Sequence, residues 1–156
     1  MFCLLADLGF MRIVGEWRRF SDGITRPVVA AEMVSAAGDA ISVRFLIDSG
    51  ADCTALNAAT LAKLGLPCQH SPSDVHVRGI TGESDFVTVR SAIEFKRDDG
   101  GAASVRGEFV GLTHPDASDL CVLGRDVTDN FDLILSRRRG DALLLAPTHQ
   151  YQVVRL

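Results

Sequence analysis

Residues 86–95, Phe-Val-Thr-Val-Arg-Ser-Ala-Ile-Glu-Phe, constrain the fold most. The run is rich in β-branched and aromatic residues, fits no helix and reads as a long strand. Asp98-Asp99-Gly100-Gly101 then makes a hairpin turn, and residues 103–110 return beside the first strand. The same grammar recurs along the chain. Residues 28–34 and 41–47 are strands about the turn Ala36-Ala37-Gly38-Asp39, and the second ends fully apolar, entering the core. Residues 75–78 alternate before a turn at Gly79-Ile80-Thr81-Gly82. Residues 120–123, 133–135 and 142–146 are short apolar strands, with 151–154 a candidate for another. Helical signals are few. Asn57 is a candidate N-cap, Ala58, Leu61, Ala62 and Leu64 share a face, and Gly65 is a stop before Pro67. A second short helix is expected over 126–131, and residues 69–74 read as a polar loop. A doubly wound α/β fold needs strands alternating with helices of about 10–15 residues, which are missing. The expectation is a mostly β, barrel-like domain with one or two short helices.

A length of 156 residues suits one domain that buries its own core. Residues 26–156 are expected to form it, with 1–25 an N-terminal extension of uncertain structure. Within that extension, Trp17 with Arg18 and Arg19 reads as a surface anchor or a dimer contact. A net charge of −4 argues against nucleic acid as a partner, because backbone binding needs clustered positive charge. Arg137-Arg138-Arg139 reads as a solvated turn. Cysteines 3, 53, 68 and 121 show no CxxC spacing, and histidines 70, 76, 114 and 149 form no HExxH. No metal or cofactor is expected. The opening segment has no basic n-region, Asp7 interrupts its apolar run, and no stretch reaches about 18 apolar residues. No membrane partner is expected, and the location is taken as cytoplasmic.

The densest chemical signal is Phe45-Leu46-Ile47-Asp48-Ser49-Gly50-Ala51-Asp52. A carboxylate ends a buried apolar strand, and such a group needs a partner or a job. Ser49 supplies a hydroxyl able to lock neighbouring backbone, and Gly50 permits a tight turn. The plainer alternative is a strand-to-turn aspartate capping its own loop.

The wider sequence resembles the retropepsin-like aspartic proteases, the single-domain family that includes the retroviral proteases. Four segments carry the resemblance, in order: Arg26-Pro27 with its hairpin, Phe45 to Thr54, Gly79-Ile80-Thr81-Gly82 at the flap-tip position, and Val122-Leu123-Gly124-Arg125-Asp126 before the last helix. The helical segment at 61–66 resembles bacterial and cellular members, and the whole likeness spans roughly residues 24–146.

The resemblance implies a closed, barrel-like acid protease domain and aspartic endopeptidase activity. By that likeness Asp48 is the catalytic aspartate, Ser49 the hydroxyl that braces the loops across a dimer, and Gly50 the closely packed glycine. Ala51, Asp52, Arg26, Gly79, Ile80, Thr81, Gly82 and Arg125 would flank the substrate. Asp52 and Arg125 are expected to form a buried or half-buried ion pair, and Arg26 to reach the partner's loop. Val28, Ile80 and Leu123 are expected to line apolar side pockets. One Asp-Ser-Gly per chain gives half a site, so a homodimer is implied, acting on an extended peptide or unfolded protein. The alternative is a peptide-binding or dimerisation module of the same fold with little or no proteolysis. Departures from the family are the longer N-terminus, the hairpin at 96–104, the sparser flap glycines, and two segments competing to be the C-terminal strand, Leu143 to Ala146 and Tyr151 to Val154.

Overall fold

The computed structural model describes residues 11–70, 77–79, 82–84 and 86–146. Its strands are β1 (Arg12–Val14), β2 (Glu16–Arg19), β3 (Thr25–Val34), β4 (Ala40–Ile47), β5 (Ala55–Leu56), β6 (Cys68–His70), β7 (Val77–Gly79), β8 (Gly82–Ser84), β9 (Phe86–Lys96), β10 (Ala102–Leu112), β11 (Cys121–Leu123), β12 (Asp132–Ser136) and β13 (Asp141–Leu145). Two short helices, α1 (Ala58–Leu64) and α2 (Arg125–Thr128), and a 3-10 turn at Pro115–Ala117 complete the described elements.

The β9–β10 hairpin is in register from Phe86 against Leu112 to Lys96 against Ala102. Along β9, Val87, Val89, Ile93 and Phe95 are buried, the period of two that a strand covered on one face requires. The large sheet runs β2-β3-β4-β11-β5-β10-β9-β6, and a further bridge from β3 to β9 joins Glu32 to Glu94. That bridge closes β3, β4, β11, β5, β10 and β9 into a six-stranded barrel. Phe45, Phe95, Leu56, Val89, Ile93 and Leu123 are fully enclosed within it. The architecture is therefore the mostly β, closed-barrel form expected from the sequence.

Residues 12–19, which the sequence leaves unplaced, are structured. Strand β2 pairs with β3, and β1 pairs with β13 in a smaller sheet of order β1-β13-β12. Trp17 is half-buried and packs against the core, and its indole N–H donates to the Asp141 carbonyl at 2.9 Å. It ties the two sheets together instead of standing as a surface anchor.

Helix α1 is set by its caps. The Asn57 side chain accepts from the Thr60 amide at 3.0 Å, and Gly65 takes a left-handed φ of 57° as its N–H returns to Leu61. Only Leu64 on this helix is fully buried, and Ala62 is exposed, so the apolar face is narrower than its spacing suggests. Residues 69 and 70, expected in a polar loop, instead form β6 with Cys68, paired with β9 from Cys68–Val89 to His70–Val87. All three are exposed, so backbone pairing to a preformed strand holds them where no apolar pattern could. Helix α2 begins at Arg125 and ends at Thr128, earlier and shorter than expected. The candidate strand at 151–154 lies outside the described residues. Among the described residues no helix is long and apolar enough to cross a membrane.

Candidate active site

Strand β4 carries the candidate aspartate to the site. Its Phe45 and Ile47 are buried, and it pairs in parallel with β11, Phe45 beside Cys121 and Ile47 beside Leu123. At the end of this pair the Asp48 amide donates to the Leu123 carbonyl at 3.1 Å. The chain then turns. The Ala51 amide donates to the Asp48 carbonyl at 3.2 Å, and the Gly50 amide to Asp48 Oδ1 at 2.9 Å. A Cβ on Gly50 would lie 3.2 Å from that oxygen, so the turn is tightest with glycine there. Asp48 is half-buried, while Ser49 and Gly50 are exposed. The loop presents a carboxylate held on one oxygen, on a face open to solvent.

The loop hangs from the β11–α2 junction. The Arg125 amide donates to the Ala51 carbonyl at 2.8 Å and the Asp126 amide to the Asp52 carbonyl at 3.3 Å. Arg125 also pairs with Asp52 through its guanidinium. The pairing matches expectation but the burial does not, since the two side chains are 55% and 77% exposed. The reason is local. It is Leu123, Val127 and Thr128 that turn into the core, which leaves Arg125 and Asp52 on the rim.

Two residues that the motif reading gave no role are joined here, a buried Thr54 and an exposed Asp126. Thr54 is fully buried. Its amide donates to both Asp126 carboxylate oxygens, at 2.8 and 2.9 Å, and its hydroxyl to Asp126 Oδ1 at 2.7 Å. The same hydroxyl accepts from the Gly124 amide at 3.0 Å. The available signal was a threonine six positions after Asp48 and an aspartate ending Gly124-Arg125-Asp126. Separated by 72 positions, the two gave no sequence reason to be joined.

The other candidates are placed as follows. Arg26 lies on β3 and is occupied within its own chain. It makes a two-pronged contact with Asp22, at 2.7 and 3.1 Å, and sits 5.5 Å from the centre of the Phe20 ring. The Arg26 hydrogen bonds, helped by the Ile24 amide, hold the Asp22 carboxyl below its usual range. Gly79 pairs with Gly82 across the β7–β8 hairpin, and Ile80 and Thr81 lie outside the described residues. Val28 and Leu123 are 1% and 0% exposed, so they are core and not pocket walls. Cys53, exposed beside the loop, has its thiol pushed up from the usual range by partial desolvation and by the Asp126 and Asp52 charges. Such a thiol is a poor source of nucleophilic thiolate.

Comparison with known proteins bears on the family and the fold. The family model described as aspartyl protease matches residues 33–127, about three-fifths of the chain. No curated protein matches the chain. Among solved structures, a retropepsin-like aspartic protease from Rickettsia conorii superposes with a TM-score of 0.56 at 16% identity, covering 88% of this chain and 91% of that one. The EIAV protease complexed with the inhibitor HBY-793 superposes with a TM-score of 0.49 at 18% identity, covering 70% and 93%. With the family model spanning most of the barrel and the Asp48 loop inside the match, the chain belongs to the aspartyl protease family.

Proposed function

We propose that the protein is an aspartic endopeptidase, assembled as a homodimer that brings two copies of Asp48 together on its two-fold axis. The observation that carries this reading is the Asp48 turn. A half-buried carboxylate closes a core strand, is held by the Gly50 amide, and faces solvent with Ser49 and Gly50 exposed beside it. The chain holds one Asp-Ser-Gly, so one copy supplies half of a two-carboxylate machine.

In that machine one ionised carboxylate takes a proton from a water. The water oxygen bonds to the scissile carbonyl carbon, while the other carboxyl gives its proton to the carbonyl oxygen. Collapse of the tetrahedral intermediate breaks the C–N bond: the carboxyl that took the water proton passes it to the leaving amine, and the other carboxylate takes a proton back from the gem-diol, restoring the pair. Two carboxylates a few ångström apart resist joint ionisation, so they share one proton and titrate as a pair. Ser49, exposed beside Asp48, braces one copy's loop against the other's. The substrate is an extended peptide or unfolded segment bound by main-chain hydrogen bonds, with the hairpin around Gly79 and Gly82 as its cover.

The test is cleavage of a mixed peptide library across acid to neutral pH, with Asp48→Asn as control. The reading expects a bell-shaped profile on the acid side and no cleavage by a folded, dimeric Asp48→Asn. Cleavage by that variant at the wild-type rate would end the reading. A dimeric wild-type protein that binds peptides and cuts none would favour a binding module.

A further inference from the structure

We propose that Thr54 and Asp126 are positioning residues for Asp48, a latch that fixes the whole loop from 48 to 54 against the β11–α2 junction. The inference rests on the endopeptidase reading for its kinetic arm and on geometry alone for the other. The loop is fastened at both ends to four consecutive residues. At its start, Asp48 donates to Leu123. At its end, Thr54 receives from Gly124 and gives three hydrogen bonds to Asp126. Between them, Ala51 and Asp52 accept from the Arg125 and Asp126 amides.

Thr54 is where this lattice is densest and driest. Its hydroxyl both accepts, from Gly124, and donates, to Asp126, so its rotor has one satisfied orientation. Valine keeps the shape and can do neither. It would leave the buried Gly124 amide without its acceptor and would remove one donor from the Asp126 carboxylate. Serine keeps both bonds. The Asp52–Arg125 ion pair cannot serve as the latch, because both side chains are largely in solvent. The reaction needs Asp48 held to a fraction of an ångström, and the Leu123-Gly124 peptide is the shortest link between Thr54 and the Asp48 amide.

The experiment compares wild type, Thr54→Val, Thr54→Ser and Asp126→Ala in two readouts. In peptide cleavage, Thr54→Val and Asp126→Ala should lower kcat by about ten- to a hundredfold with KM within about twofold, and Thr54→Ser should stay within about threefold of wild type. In native-state amide exchange read by NMR, Thr54→Val should speed exchange at Asp48, Ala51 and Arg125 by about tenfold or more while Val89 on β9 keeps its rate. Equal kcat in wild type and Thr54→Val, or exchange that rises uniformly with global stability, would overturn the latch. Should Thr54→Val fail to fold, Asp126→Ala, which removes the acceptor of the Thr54 bonds from an exposed position, decides by the same two criteria. A wild type that cleaves nothing overturns the endopeptidase reading, and the exchange pattern then decides the latch by itself.

Discussion

Gly124 sits so close to Cys53 that a Cβ on it would lie 2.4 Å from the Cys53 carbonyl carbon and 2.8 Å from the Thr54 amide nitrogen. Both neighbours are backbone, and Leu123 and Thr54 on either side of the contact are fully buried, so neither strand can move aside cheaply. Glycine at 124 is thus a condition for β11 and the Asp48 loop to meet. Gly124→Ala should cost about 1–3 kcal/mol or more of stability in urea unfolding, the range for forcing atoms into a packed site. A loss under about 0.5 kcal/mol would mean that the close approach is not a constraint.

Arg125→Ala should be mild. Its guanidinium contact with Asp52 is exposed, so its removal should cost less than about 1 kcal/mol, measured at fixed chain concentration because dissociation couples to unfolding. A loss of about 3–5 kcal/mol would be the signature of a buried pair and would contradict the rim placement.

The barrel closes where two like charges face one another. Glu32 and Glu94 are directly opposed on β3 and β9, and both are exposed. Like charges at opposed positions destabilise a sheet, so Glu94→Gln should raise stability by about 0.2–1 kcal/mol at low salt. The gain should shrink as ionic strength rises through about 0.15 M and beyond. A loss of stability on removing the charge would show that some other group holds Glu94 in place.

Cys53 gives a pH-dependent handle on the loop. The thiolate is the form that alkylates, and desolvation with the Asp126 and Asp52 charges pushes the thiol pKa up. Alkylation of Cys53, followed peptide by peptide in mass spectrometry, should therefore rise with pH around a midpoint above the ordinary thiol range. Asp52→Asn removes one of the two negative charges and should move that midpoint down. A midpoint at or below the ordinary range would contradict the electrostatics of the loop.

Much of this was legible in the residues. The strand β4 and the Asp48 turn were readable because an apolar run stops at Asp-Ser-Gly, a local signal with a local cause. The β9–β10 hairpin was readable from alternation and from its turn, and helix α1 from Asn57 and Gly65, which cap it as their chemistry demands. What escaped depends on distant partners. Strand β6 carries only exposed residues and takes its conformation from β9. Strands β1 and β2 are short and become ordered by pairing with β13 and β3, far along the chain or across a turn. The exposure of the Asp52–Arg125 pair is not legible in the sequence, because proximity to apolar strands does not say which side of the strand ends a side chain leaves by. Thr54 and Asp126 carry no local signal, since a hydroxyl and a carboxylate 72 positions apart show no sign of each other until the fold joins them.

The central claim is that one chain holds half a site, and mixing chains tests it most directly. Wild-type protein at fixed concentration is equilibrated with an increasing excess of Asp48→Asn chains, and peptide cleavage is measured after exchange of subunits. The account predicts that activity falls toward zero as wild-type homodimers are replaced by mixed dimers with a single catalytic carboxylate. Activity that stays constant through a large excess of Asp48→Asn, with subunit exchange shown to be complete, would mean that each chain carries a whole site and would contradict the account.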